Sequence, residues 1–253
     1  MTTPLSFDTL ASRAKIAVIV PATNTVVQPE MEAMRPHGVT NHVSRMLLPP
    51  RPYDDMQAYQ QALKTEKGQL EEALALVMPC EPHAVAHGHS IHSFRGDLQR
   101  AQAEEARLQA LAGVSFVTPS IAVLEGLKAI GNPKRIGVLT PYWPPADAII
   151  AEFFTACGFE VVASHGLKST GPISVAQFTT EQIMQGFEAL DKPQVQALVH
   201  VGTNLPVSAM TPAIEAHFGK PLIGVNVATY WLALRRLGLR DAMPGFGILA
   251  EQH

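Results

Sequence analysis

The stretch that decides the fold is residues 15–21, KIAVIVP, a nearly continuous apolar run that ends at a proline. Residues 135–141, RIGVLTP, repeat it almost residue for residue. Apolar runs of this length are typical of central strands in parallel sheets, which are buried on both faces. Helix and strand patterns follow each run in the same order, so the sequence predicts an internal duplication.

The predicted fold class is α/β, with two similar doubly wound parallel-sheet domains related by pseudo-twofold symmetry and a site at their interface. We predict a first domain of residues 1–116 plus 226–253 and a second of residues 117–225. Ser120 is predicted to cap a helix that follows it. The proline-rich residues 48–54 are predicted to form a stiff loop over the site.

The composition excludes several classes of protein. Of 253 residues, 47% are hydrophobic and 16% are charged, as in an ordinary globular protein. A net charge of -3 offers no basic surface for nucleic acid. No apolar run approaches the roughly 20 residues that span a bilayer, and the N-terminal residues show no signal-peptide pattern. We therefore expect a cytoplasmic protein without nucleic-acid or membrane partners, and the sequence leaves a homo-oligomer open.

Polar side chains crowd the end of the strand predicted at residues 83–88. His87, His89, Ser90 and His92 lie within six residues of one another. A similar set of residues lies at the end of the strand predicted at residues 197–201. This second set is His200, Gly202, Thr203 and Asn204. Ligands of α/β proteins bind at the carboxyl ends of strands. The two strand ends therefore predict one site built from two facing halves.

The histidines allow two chemical interpretations beside a purely structural one. Histidine titrates near neutral pH, which suits proton transfer at a carbon acid. The spacing His-x-His-x-x-His also fits a metal site, although no acidic residue accompanies it. The metal alternative would use His87, His89, His92 and His200, and otherwise we predict no metal and no cofactor.

Short hydrogen-bond donors at predicted helix starts indicate a small carboxylic acid as the substrate. Helix N-termini favour anions, although ordinary capping explains any single one of these residues. The donors are Thr23, Asn24, Ser90, Thr203 and Asn204. Tyr142 follows Pro141 and either stabilises an oxyanion or only packs. Arg51 and Arg95 are further candidates for a carboxylate, although exposed arginines usually bind nothing specific.

These motifs resemble the aspartate/glutamate racemase superfamily, in particular its maleate cis-trans isomerase and arylmalonate decarboxylase branch, over about residues 15–247. The loop that begins at Pro21 is similar to the branch's opening loop, and the resemblance implies that Asn24 holds a substrate carboxylate. Thr140-Pro141-Tyr142 resembles the loop that supplies the active-site tyrosine. Gly202-Thr203-Asn204 resembles the second cysteine motif, and residues 226–231 resemble the stretch after the last strand.

The chain departs from this branch at the cysteines. The resemblance implies two cysteines as base and nucleophile, or the second cysteine alone. Here the second position is Gly202, and the first is His89 or Gly88, depending on whether the alignment is fixed on residues 93–94 or 95–96. We prefer His89, because the preceding strand then aligns without a gap. Thiolate addition to a double bond is then unavailable. Cys80 and Cys157 fall at no motif position, so we expect them to be reduced and structural.

The sequence thus predicts a cysteine-independent isomerase or lyase that acts at the carbon next to a carboxylate. His89 would be the acid/base and Tyr142 the oxyanion donor, with Gly202 at the vacated cysteine position. The predicted substrate-binding residues are Pro21, Thr23, Asn24, Gly88, Ser90, Thr203 and Asn204. The alternatives are a metal-assisted hydrolase or lyase that uses the four histidines, and a non-catalytic small-acid binding protein.

Overall fold

The computed structural model describes residues 8–48 and 56–253, the side chains of residues 56–66 excepted. The predicted overhanging loop, with Arg51, lies almost wholly outside the described residues. Strands and helices alternate along the chain. They are β1 (Ala14–Pro21), α1 (Val27–Met34), β2 (Val39–Met46), α2 (Met56–Val77), β3 (Ala84–His87), α3 (Leu98–Ala112), β4 (Ser115–Val117), α4 (Pro119–Ala129), β5 (Arg135–Thr140), α5 (Pro144–Ala156), β6 (Glu160–Gly166), α6 (Thr180–Glu188), β7 (Ala197–His200), α7 (Thr211–Phe218), β8 (Leu222–Gly224), α8 (Val225–Arg236) and α9 (Ile248–Gln252).

Within the described residues, the strands form two four-stranded sheets with the same order. The first is β2-β1-β3-β4 and the second is β6-β5-β7-β8, and every pairing is parallel. The strands β1 and β5, which contain the repeated sequence, hold equivalent places in the two sheets. The predicted α/β fold with two similar parallel sheets is therefore confirmed.

The boundaries of the two domains remain a prediction. The helix α8 packs against α1, β3 and β4 of the first half, which supports assigning residues 226–253 to that half. The helix α4, which follows β4 along the chain, also packs against α8 and α3. The connection between the two halves therefore begins with α4, a helix that still contacts the first half.

The halves share one hydrophobic core. Alternate residues of a strand point to opposite faces of its sheet, and in β1 both sets are buried, as its continuous apolar run predicts. Ile16 and Val18 belong to the same cluster as Ile136 and Val138 of β5, together with residues of α1, α4 and α8. The opposite face of the first sheet packs against α2 and α3, and that of the second against α6 and α7.

Two local predictions were wrong. The helix α4 begins at Pro119 and its N-cap is Thr118, so Ser120 lies inside the first turn and does not cap the helix. Proline suits the first helical position because its missing N–H would be unpaired there anyway. The sequence pattern of residues 221–226 also predicts one continuous strand, but β8 ends at Gly224 and residues 225–226 begin α8. In the part of the chain that the structure describes, no helix is both long and apolar enough to cross a membrane.

Candidate active site

Four loops meet where the two central strands of each sheet end. In each sheet the central pair is β1 with β3 or β5 with β7, and crevices at such strand ends are the usual ligand sites of parallel sheets. The loops after β1, β3, β5 and β7 supply Asn24, Ser90, Tyr142 and Thr203, and each of these residues is at most 5% exposed.

Ser90 lies at the centre of the site. Its Oγ is 3.2 Å from Tyr142 Oη and accepts a hydrogen bond of 3.3 Å from the backbone N of Thr203. Asn24 Nδ2 donates to Thr203 Oγ1 over 3.4 Å. These contacts join the two halves of the chain, as the sequence predicts. They also place several donors side by side, which is the arrangement that binds or stabilises oxyanions.

Asn24 is fixed by the start of α1. Its Oδ1 accepts hydrogen bonds from the backbone N of Val26 at 3.0 Å and of Val27 at 2.9 Å. Its own backbone N donates to the Pro21 carbonyl over 2.9 Å, which closes the loop, and Arg45 Nη1 donates to its carbonyl over 2.8 Å. Because Oδ1 is engaged by these two backbone groups, Nδ2 is the side-chain atom of Asn24 that can donate to a ligand.

One of the predicted binding residues, Asn204, already has both polar side-chain atoms engaged. Asn204 Oδ1 accepts from the backbone N of Thr25 at 2.9 Å, and Asn204 Nδ2 donates to the Pro172 carbonyl over 2.8 Å. Asn204 therefore connects the loops of the two halves. Thr23 lies in the Asn24 loop and is half-buried.

The Tyr142 loop is held from three sides. The backbone N of Tyr142 donates to Thr140 Oγ1 over 3.0 Å, and that hydroxyl donates to the carboxylate of Asp147. The carbonyls of Pro141 and Tyr142 accept from the backbone N of Ser169 at 2.8 Å and of Lys168 at 3.1 Å. Burial raises the pKa of Asp147. These hydrogen bonds fix the conformation of the loop that carries Tyr142.

The two strand ends have equivalent backbone registers. His87 is paired with Ile19 of β1, and His200 is paired with Leu139 of β5. Since residues 19 and 139 are equivalent in the repeated sequence, His87 and His200 occupy related positions.

Counting onward from these histidines relates the residues of the site. Two residues further, His89 corresponds to Gly202. Ser90 and Thr203, each three residues after its histidine, are equivalent in the same way. These two residues contact each other between the halves.

Neither glycine of the two motifs has room for a side chain. A Cβ on Gly202 would lie 2.4 Å from Pro141 Cδ, and one on Gly88 would lie 2.7 Å from Val20 Cγ1 and 2.9 Å from Val27 Cγ1. Distances below 3 Å require the neighbouring atoms to move. The space that a larger residue would need is therefore already filled, by Pro141 at Gly202 and by Val20 and Val27 at Gly88.

The histidines of the first motif contact one another. The ring centroids of His89 and His92 are 4.9 Å apart, and those of His87 and His89 are 6.1 Å apart. His87 is buried, whereas His89 and His92 are half-buried. Among the residues that the structure describes, no group of three or more histidine, cysteine or acidic side chains could hold a metal ion. The geometry thus offers no support for the metal alternative.

His200 belongs to the packed interior. It is 1% exposed, and burial lowers its pKa to about 3, against a smaller opposing effect of a hydrogen bond with the Gly202 backbone. The imidazole is therefore uncharged at neutral pH.

Both cysteines lie at the amino ends of strands, away from the loops of the site. Cys80 ends a short turn before β3, and Cys157 follows α5 ahead of β6. Burial raises the pKa of the Cys80 thiol and that of the Cys157 thiol, the latter to about 11.

The sequence analysis missed Glu30, which connects the halves beside the site. Its carboxylate accepts hydrogen bonds from Ser208 of the second half and from Asn226 at the start of α8. These partners are 178 and 196 residues away in the chain, so no local pattern around Glu30 indicates them.

Residues 16–250 match the family model of arylmalonate decarboxylase, and the chain belongs to this family. It is 29% identical over 249 residues to a maleate isomerase of Pseudomonas putida, which covers 93% of this chain and 96% of the relative.

Two solved structures show the same fold. A maleate cis-trans isomerase of Nocardia farcinica, in a cysteine-to-serine variant with a covalently bound succinylcysteine intermediate, is similar with a TM-score of 0.84 and 23% identity, covering 95% of this chain and 99% of that one. The crystal structure of arylmalonate decarboxylase is similar with a TM-score of 0.69 and 21% identity, covering 93% and 98%.

Proposed function

We propose that the protein is a cysteine-independent enzyme that removes or adds a proton, or releases CO2, at the carbon between two acidic groups of a small malonate-type acid. The observation that supports this best is the set of donors around Ser90, with Tyr142 Oη at 3.2 Å and the Thr203 backbone N at 3.3 Å. Such donors stabilise an enediolate, the oxyanion that forms when a malonate loses CO2.

Decarboxylation suits the site better than cis-trans isomerisation. A double bond rotates only after something adds to it, and the Nocardia farcinica relative contains a succinylcysteine adduct. In the alignment preferred above, Gly202 and His89 take the positions of the branch's thiols, and the thiols of Cys80 and Cys157 lie at the opposite ends of strands. Loss of CO2 needs only charge stabilisation and a proton.

In this mechanism Asn24 Nδ2 and the hydroxyl of Thr203 bind the carboxylate that remains. The bond from the central carbon to the leaving carboxylate breaks, CO2 departs, and the electron pair moves into the enediolate beside Ser90 and Tyr142. His89 donates a proton to the central carbon and is then reprotonated from solvent. A positioned acid of this kind contributes roughly 10²–10⁴-fold in rate.

The test is turnover of two acids by the purified protein. Phenylmalonate should lose CO2, and maleate should give no fumarate, both followed by proton NMR in deuterated water. His89→Ala should lower kcat about 10²–10⁴-fold. His92→Ala is the matched control, because His92 is also half-buried and its ring contacts that of His89.

Other results would point to the alternatives. Conversion of maleate by the wild type, unaffected by His89→Ala, would support an isomerase with another catalytic group. Loss of activity in chelator would support the metal-assisted enzyme. Binding of malonate with no turnover of either acid would indicate the small-acid binding protein.

A further inference from the structure

Glu30 is a partly buried carboxylate in α1 that accepts hydrogen bonds from Ser208 of the second half and from Asn226 at the start of α8. Glu30 Oε1 accepts from the backbone N of Ser208 at 3.0 Å. Glu30 Oε2 accepts from Ser208 Oγ at 2.5 Å and from Asn226 Nδ2 at 2.7 Å. Burial raises the pKa of Glu30, while these hydrogen bonds oppose that effect.

Asn226 links Glu30 to the loop of Thr203 through one amide nitrogen. The same Nδ2 that donates to Glu30 also donates to the backbone carbonyl of Thr203 over 2.9 Å. Asn226 is 2% exposed, so water cannot easily replace either partner. The orientation of this amide is therefore set by Glu30 on one side and by Thr203 on the other.

Thr203 is consequently held at both of its backbone groups. Its carbonyl is fixed by Asn226, and its N–H is aimed at Ser90 Oγ. A rotation of this loop would move the N–H that stabilises the oxyanion in the proposed function. Misplacement of a catalytic group by about 1 Å can cost about 10²-fold in rate.

We propose that Glu30 is a positioning residue that orients the oxyanion donors of Thr203 through Asn226, without touching the substrate. The proposal rests on the proposed function for its kinetic consequence only. The underlying structural claim is that Glu30 keeps residues 202–205 in place, and this can be measured without any turnover.

The chain supplies a matched control on the same helix. Glu32 is two residues further along α1 and pairs with Arg35 at 2.9 Å, with a side chain that is 39% exposed. Glu30→Gln removes one acceptor and keeps the size of the side chain, and Glu32→Gln makes the same change outside the network. Ser208→Ala is a milder variant that removes one donor to Glu30 and no charge.

A reversed pair separates positioning from simple stability. In the double variant Glu30→Gln with Asn226→Asp, the new amide can donate to the new carboxylate, so the contact between α1 and α8 re-forms with opposite polarity. The carboxylate has no donor for the Thr203 carbonyl. Stability should therefore recover only in part, because the Thr203 carbonyl stays unpaired, and residues 202–205 should remain loosened.

The experiment combines hydrogen–deuterium exchange of the peptide that contains residues 202–205 with melting temperatures and phenylmalonate kinetics. Glu30→Gln should speed exchange of this peptide about tenfold or more and lower kcat about 10–100-fold. Ser208→Ala should give a smaller change in the same direction, and Glu32→Gln none. The double variant should regain part of its melting temperature but not kcat.

Two results would overturn the proposal. Unchanged exchange of residues 202–205 in Glu30→Gln would remove its structural basis, whatever the kinetics. Recovery of kcat together with the melting temperature in the double variant would make Glu30 a structural residue only. If the wild type does not turn over phenylmalonate, the proposed function fails, and the exchange measurement still decides the role of Glu30.

Discussion

The hydroxyl of Tyr142 lies 3.2 Å from that of Ser90, and this contact joins a loop of the second half to a strand end of the first. Asn24 Nδ2 makes the reciprocal contact, from a loop of the first half to Thr203 at the strand end of the second. The two halves thus contribute complementary residues to one shared site. Neither half alone would hold the donors together.

Tyr142→Phe should lower kcat on phenylmalonate about 10²–10³-fold, the usual cost of removing one oxyanion donor. The substrate carboxylate would still meet Asn24 and Thr203, so KM should change little. Steady-state kinetics with phenylmalonate measure both constants.

Tyr230→Phe is the matched control for this prediction. The hydroxyl of Tyr230 is also a buried donor, to Asn41 Oδ1 at 2.9 Å, but it lies outside the four loops. Its loss should cost about 0.5–1.5 kcal/mol of stability and leave kcat unchanged. Equal kcat values for the two variants would mean that Tyr142 acts only through packing.

His200 should make the protein less stable in acid. Its folded pKa of about 3 is below its ordinary value of 6.5, so the unfolded chain binds a proton first as the pH falls. The stability that the neutral ring contributes is complete above pH 6.5 and is lost as the pH falls towards 3. The slope is at most about 1.4 kcal/mol per pH unit.

His200→Leu removes this titration, so its melting temperature should fall less between pH 7 and pH 4.5 than that of the wild type. Calorimetry at several pH values measures the difference. The exposed His217, in α7 of the same half, provides the comparison through His217→Gln, which should follow the wild type. Parallel curves for His200→Leu and the wild type would contradict the buried neutral ring.

The repeated apolar runs of β1 and β5 were sufficient to predict two parallel sheets, because strands buried on both faces leave a clear signal in the sequence. The sequence predicted that the two strand ends face each other, whereas the hydrogen bond between Ser90 and Thr203 is visible only in the structure. The role of Glu30 could not be predicted, since its partners come from distant segments that only the packed fold brings together. The start of α4 was missed because Pro119 competes with Ser120 as the signal for a helix start.

Replacement of Cys80 and Cys157 by serine should leave the turnover of phenylmalonate nearly unchanged. Neither thiol lies in the loops of the site, and the pKa of about 11 keeps Cys157 protonated at neutral pH. The measurement is kcat of the double variant, with the melting temperature as the check on folding. A loss beyond about a hundredfold in a folded protein, about 2.7 kcal/mol of barrier, would mean that one of these thiols takes part in the reaction.

A cysteine introduced at position 89 should be tolerated and reactive, whereas one introduced at position 202 should not. A cysteine at Gly202 would place its Cβ 2.4 Å from Pro141 Cδ, and such overpacking costs about 1–3 kcal/mol. Position 89 already accommodates an imidazole, so His89→Cys introduces a smaller side chain there. We expect His89→Cys to exceed His89→Ala in kcat on phenylmalonate and to become sensitive to iodoacetamide, while Gly202→Cys melts at a lower temperature without gaining a reactive thiol. If His89→Ala keeps full activity and chelators abolish it, proton transfer by His89 is wrong and the histidines bind a metal.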